Sequence, residues 1–316
     1  MAGVVRPRVV FFGSPPFAVP FLEVIAAAAE CELVAVVSQP DRPAGRGKQV
    51  TQPAVKVAAN RLRVPVLQPE RIRTPDFEAS LRELAPDVFV VVAYGRILPQ
   101  TLLDLPRLGP WNVHGSLLPK LRGAAPIQWA IIRGETETGV AVMKMEAGLD
   151  TGPVAAVART AITDDDTAGS LSARLAALGA SLLGATLPRI VDGSVTTTPQ
   201  NDAAATLAPP LKKEDGHLDF SRPAREVSAR ARGVDPWPGA FALLEDTPLK
   251  LFGPRVAGGA AGAVPGRVIG LAPQGLVVAC GEGAIAFAEL QLPGRKRLPA
   301  AAVLAGHPLP AGTPLT

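Results

Sequence analysis

Short apolar runs alternate with stretches of helical spacing over the first 191 residues, and glycine, proline or polar clusters close each run. Residues 8–12 (Arg-Val-Val-Phe-Phe) stop at Gly13, which predicts a strand buried on both faces, as in a parallel sheet. Helical spacing follows over 17–29. The alternation then repeats, with strands at 33–38, 64–67 and 87–94 and helices at 53–61 and 76–84. The run at 87–94 (Asp-Val-Phe-Val-Val-Val-Ala-Tyr) is the most apolar and is expected at the centre of the sheet. A strand over the stretch 111–119, stopped by its Leu118-Pro119 step, a helix at 126–133, strands at 138–146 and 153–157, and a long helix at 166–191 capped by Asp or Thr complete the series. Strand and helix in turn predict an α/β fold built on a Rossmann-like open, mostly parallel sheet.

The pattern changes at Asp192. Residues 192–210 are Thr, Asn, Asp, Ala and Pro with no apolar period, which predicts a linker between a domain at 1–191 and another at 211–316. Past the linker, 224–233 has helical spacing and a basic side. Five short β-prone runs follow at 240–244, 249–252, 266–272, 275–280 and 284–290, separated by Gly/Pro turns. That spacing predicts a small barrel or sandwich. A short helix and a frayed end are expected after Pro299.

Composition agrees with two globular domains. The chain has 316 residues, 47% hydrophobic and 19% charged, enough to bury a core, while 4% aromatics leave Ala, Val and Leu to fill it. The net charge is +4, and residues 210–316 hold 12 basic and 9 acidic side chains, so three of the four net charges lie there. This permits a polyanionic partner without requiring one. Cys31 and Cys280 match no metal-ligand spacing and are expected as reduced, buried thiols. The N-terminus runs straight into a strand rather than a signal peptide, and no apolar run reaches the ~20 residues of a membrane helix. The expectation is a soluble, cytoplasmic protein.

Candidate chemistry gathers at Trp111-Asn112-Val113-His114-Gly115-Ser116-Leu117-Leu118-Pro119. On an extended strand, residues two apart share a face, so Asn112 and His114 face one spot. An amide donor beside an imidazole suits chemistry in which an oxyanion forms while a proton moves. Asp150, in the tight loop Gly148-Leu149-Asp150-Thr151-Gly152, is the carboxylate to join them, and would set the tautomer of the ring. The set fits acyl-type transfer by direct attack of an amine. The alternative is a satisfied buried pair, with Asp150 capping its own loop. The loop 39–48 (Gln-Pro-Asp-Arg-Pro-Ala-Gly-Arg-Gly-Lys) is either a solvated connection or a place where Arg42, Arg46 and Lys48 meet phosphates. Arg122 is either a surface charge or a contact to a ligand anion, and His217 and His307 are expected at the surface. Gly13-Ser14-Pro15-Pro16 lacks the glycines of a dinucleotide fingerprint, no G-x-S-x-G elbow occurs, and the three histidines are scattered.

The motif 112–119, with Arg122-Gly123-Ala124-Ala125-Pro126-Ile127-Gln128 and Gly148–Gly152, resembles the folate-dependent formyltransferase superfamily. The loop 39–48, Val91-Val92-Ala93-Tyr94-Gly95 and Asp235-Pro236-Trp237-Pro238 narrow the resemblance to the methionyl-tRNA formyltransferase family, over nearly the whole chain. The resemblance implies a one-carbon transferase that carries the formyl group of 10-formyltetrahydrofolate, its co-substrate, to the amino group of initiator methionyl-tRNA. It implies Asn112, His114 and Asp150 as the catalytic residues, Ser116, Leu117, Leu118 and Pro119 lining the folate site, and Arg42, Arg46 and Lys48 in a loop that approaches the tRNA. It implies a C-terminal OB-like barrel along the acceptor arm. No metal and no membrane partner are expected, and a monomeric chain is expected. Two positions depart from the family pattern: Pro16, where many members carry Asp, and Trp111, where a smaller apolar residue is usual.

Overall fold

The run Arg8–Gly13 forms β1, in which every residue after Arg8 is buried. The computed structural model describes residues 6–44, 49–258 and 262–316. By its internal contacts the chain divides into two units: Met1–Ala124, Thr138–Thr160 and Ser172–Ala208 make the first, and Ala125–Glu137, Ala161–Leu171 and Pro209–Thr316 the second.

In the first unit a single 3-10 turn beginning at Pro16 leads into α1 (Val19–Ala27), and β2 (Glu32–Val37) follows. The basic stretch contains a small antiparallel pair, β3 (Arg42–Ala44) and β4 (Gln49–Thr51), where the sequence pattern shows only a loop. Its base is tied down, because Asp41 accepts from Lys56 Nζ at 2.7 Å and from Gln68 Nε2 at 2.7 Å. Next come α2 (Ala54–Arg61), β5 (Val66–Leu67) and α3 (Pro75–Glu83), whose Thr74 cap accepts from the Phe77 amide. Then β6 (Val88–Val92), α4 (Gln100–Leu103), β7 (Pro110–His114) and the two-residue β8 (Arg122–Gly123) follow. α5 (Pro126–Ile132) belongs to the second unit; after it the chain forms β9 (Glu137–Lys144), β10 (Val154–Ala161) and α6 (Ala168–Val191), and β11 (Leu207–Ala208) ends the first.

The main sheet runs β10-β9-β7-β6-β1-β2-β5. From β5 to β7 the strands pair in parallel, and β9 lies antiparallel to β7. β6 takes the middle place with all five residues buried, as a strand covered on both faces must. Phe12 packs tilted on Phe89 and edge-on to Tyr94 inside one layer, at ring distances of 4.9 and 5.5 Å, supplying bulk that an aromatic-poor chain otherwise lacks. α6 has 24 residues and is long and apolar enough by length and composition to cross a membrane, which corrects the expectation that no segment is. Its leucines at 171, 175, 183 and 187 are fully buried, so the apolar run serves as a core helix. Trp111 is buried as well, its indole N–H donating to Leu108 O at 3.2 Å.

In the second unit α5 packs on α7 (Ala224–Gly233), and a Cβ at Gly233 would meet Ile132 at 2.5 Å. Six strands follow: β12 (Phe241–Leu244), β13 (Thr247–Ala257), β14 (Val268–Ala272), β15 (Gly275–Ala279), β16 (Ala284–Gln291) and β17 (Leu298–Pro299), then α8 (Ala300–Gly306). They form an antiparallel sheet ordered β12-β13-β16-β15-β14, with β17 added on β16. β13 runs past the Gly253-Pro254 signal that marks its end in the sequence, because Pro254 to Ala257 keep their register against Phe287 to Ala284. The C-terminal tail is ordered rather than frayed. Val268 N–H donates to Thr313 O and Leu315 N–H to Gly266 O at the β14 edge, while Thr316 and Leu243 exchange two bonds at the β12 edge. One stretch of chain thus joins both edges and curls the sheet into a barrel, around a core that includes Leu251, Leu276, Ile285, Phe287 and Leu315.

Candidate active site

β7 lies between β6 and β9, with Asn112 opposite Val91 on one side and Met143 on the other. Alternation turns Trp111 and Val113 into the core and leaves Asn112 and His114 together on the opposite side, as the spacing predicts. After β7 the chain turns sharply. Ser116 Oγ, fully buried, donates to Lys120 O at 2.6 Å, the Leu118–Pro119 peptide is cis, and Leu121 sits at φ +60°. This turn brings the Leu121 carbonyl back to His114 Nε2, at 2.9 Å. A carbonyl only accepts, so Nε2 carries the hydrogen and Nδ1 is the ring atom that gains or loses a proton.

Asp150 lies 38 residues from Asn112 in sequence, yet its carboxylate is where the others meet. Oδ1 accepts from Asn112 Nδ2 at 3.2 Å, and Oδ2 accepts from the Gly123 amide at 2.8 Å. His114 Nδ1 stands 3.6 Å from Oδ2. Asp150 occupies the left-handed region at φ +53°, inside a loop where a Cβ at Gly152 would run into the Lys144 carbonyl. The Gly123 contact has its own requirement: at φ +120° and with Ala208 O 2.7 Å from where a Cβ would stand, only glycine brings that amide to the carboxylate. Asn112 has two amide hydrogens, and Asp150 takes one, which leaves the other to donate. The exposed apolar side chains of Ile97 (68%) and Leu149 (53%) follow β6 and precede Asp150, respectively.

Asn112, His114 and Asp150 are therefore brought together, with Ser116 to Pro119 forming the turn directly after the strand. Arg42 is exposed at the start of β3, and Arg46 and Lys48 lie outside the described residues. Arg122 is neither a surface charge nor a group waiting for a ligand. Its side chain is 7% exposed and is spent on Asp202 at 2.6 Å and on Gln200 Oε1 at 2.9 and 3.1 Å. His217 and His307 are exposed, His217 stacking on Phe241. Among the described residues no cluster of His, Cys, Asp and Glu is arranged to hold a metal ion.

Sequence reasoning missed the stretch 198–208. Thr198 pairs with Val154, Gln200 Nε2 donates to the carbonyls of Asp150 and Gly152, Thr206 Oγ1 accepts from Leu121 N–H, and β11 pairs with β8. Its polar residues contact main chain, which leaves no hydrophobic period to find.

Residues 7–187 match the family model described as formyl transferase, and residues 210–308 match that of the formyl transferase C-terminal domain. A methionyl-tRNA formyltransferase of Myxococcus xanthus (strain DK1622) is 51% identical over 98% of this chain and 97% of its own length. One of Geobacter sulfurreducens (strain ATCC 51573 / DSM 12127 / PCA) is 47% identical over 100% of this chain and 98% of its own. Among solved structures, the N-formyltransferase from Helicobacter canadensis in complex with folinic acid and dTDP-3-aminofucose superposes with a TM-score of 0.65 at 17% identity, covering 89% of this chain and 98% of that one. HypX from Aquifex aeolicus in complex with tetrahydrofolic acid gives 0.64 at 17% identity, covering 95% of this chain and 47% of that one. At such identity these two structures speak for the fold, while the family models and full-length relatives speak for descent: the chain belongs to the formyl transferase family.

Proposed function

We propose that this chain transfers the formyl group of 10-formyltetrahydrofolate to the α-amino group of methionyl-tRNA, giving N-formylmethionyl-tRNA for translation initiation. The observation that carries the chemistry is the convergence of Asn112, His114 and the Gly123 amide on one carboxylate, Asp150. The substrate follows from full-length relatives that share about half their residues with it, both units included.

The folate supplies the activated formyl group, and the residues present fit such a donor. Leu149, next to Asp150 in the chain, offers an exposed apolar side chain, and Ser116 to Pro119 form the turn directly after β7. The spare Asn112 N–H is the donor for negative charge developing on the formyl oxygen as the amine adds. A new C–N bond forms as the bond to the folate nitrogen breaks. The amine gives up one proton and the departing nitrogen takes one, so the exchange needs a site that holds a proton in between. His114 Nδ1, 3.6 Å from the Asp150 carboxylate, is that site. The attacking α-amine has an ordinary pKa of ~7.7–8.0, lowered further by the ester, so its free base is present near neutral pH.

Arg42, with Arg46 and Lys48, approaches the tRNA backbone, and the barrel with its share of the positive charge lies along the acceptor arm. The reaction takes place in the cytoplasm, on a monomeric chain without a metal. The test is Asn112→Ala: kcat falls on the order of 10²–10³-fold with the KM for tRNA unchanged. Wild-type turnover by that variant would take Asn112 out of the mechanism.

A further inference from the structure

Asp150 meets its partners only because its main chain holds φ +53°, a conformation that a residue other than glycine keeps when its surroundings impose it. One side chain spans this loop from outside it. Gln200 Nε2 donates to Asp150 O at 2.8 Å and to Gly152 O at 2.7 Å, spanning the residue that carries the site and the one that closes its loop. Both amide hydrogens are thereby used. The other end is as fully engaged: Gln200 Oε1 accepts from Arg122 Nε at 3.1 Å and from Nη2 at 2.9 Å, and Nη2 also reaches Asp202 at 2.6 Å. The two carbonyls demand N–H groups and the guanidinium demands an acceptor, so the amide has one orientation and no freedom to flip. Arg122 is in turn fixed by its neighbours, since its own amide donates to Thr206 O and the Leu121 amide donates to Thr206 Oγ1.

We propose that Gln200 is a positioning residue for the formyl-transfer reaction: it clamps the Asp150 loop so that the carboxylate stays on Asn112, Gly123 and His114. The proposal rests on the reading of Asp150 as part of the reaction centre. Gln200 touches neither substrate nor the reacting side chains, and it acts through the main chain of Asp150. Loss of the clamp lets the carboxylate drift, which releases the Asn112 amide and carries the carboxylate away from His114 Nδ1. Displacements of this kind, about 1 Å, cost on the order of 10²-fold in rate without loss of substrate binding.

The experiment measures steady-state formyl transfer by the full chain carrying Gln200→Ala, Gln200→Glu or Asp150→Asn, with the thermal midpoint followed alongside. Gln200→Glu keeps an acceptor for Arg122 but offers no N–H to the two carbonyls, so it separates the clamp from the Arg122 pairing. It also carries the test alone should Gln200→Ala not fold. Both Gln200 variants are expected to lose kcat on the order of 10²-fold while the KM values for tRNA and folate stay within about twofold of wild type. Wild-type kcat in Gln200→Glu, with Asp150→Asn slowed, overturns the clamp. A lowered thermal midpoint with kcat unchanged overturns it too, by reducing Gln200 to support of the fold. Wild-type turnover by Asp150→Asn overturns the reading of Asp150 itself.

Discussion

Asp150 gathers the site because its two oxygens have different partners, Asn112 on Oδ1 and Gly123 with His114 on Oδ2. Asn112 and His114 are legible in the sequence, since a strand puts residues two apart on one face whatever else the fold does. Gln200 is not legible, because its partners are carbonyls, and every residue has one. Arg122 is misjudged for a related reason: an arginine next to a turn reads as exposed, and only the fold reveals the glutamine and aspartate that let it be buried. The cysteines behave as their isolation in the sequence suggests. Both are buried, and burial pushes each thiol up to about 11, with Glu30 adding to the effect at Cys31. At pH 8 the native protein is expected to consume no thiol reagent on the minute timescale, and the denatured protein two equivalents. A fast equivalent from the folded chain would contradict the burial of one of them.

The apolar runs at 9–12 and 88–92 fix β1 and β6 in the sequence, and the parallel sheet follows from the alternation of such runs with helices. The short pairs β3–β4 and β8–β11 escape notice because two or three polar residues carry no period; β8 and β11 are joined by main-chain bonds across some eighty residues of chain. α6 shows a different dependence on detail. Gly179 lies where a Cβ would stand 2.8 Å from the Phe21 ring and 2.9 Å from Val140, so this glycine sets how closely the helix approaches α1 and β9. Gly179→Leu is expected to destabilise the fold by ~1–3 kcal/mol through overpacking. Denaturant unfolding measures it, and an unchanged midpoint would mean that α6 shifts outward without strain.

On the scale of the whole chain, the amino acid pattern separates an alternating α/β half from a strand-rich end, and the family models fall on the two halves in the same order. The barrel itself is legible only as a set of short strands. Its closure depends on Thr313 to Thr316, whose bonds to Gly266, Val268 and Leu243 are main-chain contacts that no pattern of side chains announces. What joins the two halves into one account is a substrate that presents both an amine and a polyanion. The measurement that tests it most directly is product formation by the full chain from 10-formyltetrahydrofolate and methionyl initiator tRNA, with methionyl elongator tRNA alongside. The account predicts N-formylmethionyl-tRNA from the initiator, matched by loss of the formyl group from the folate. No formylated product from either tRNA, with the donor left intact, would contradict it.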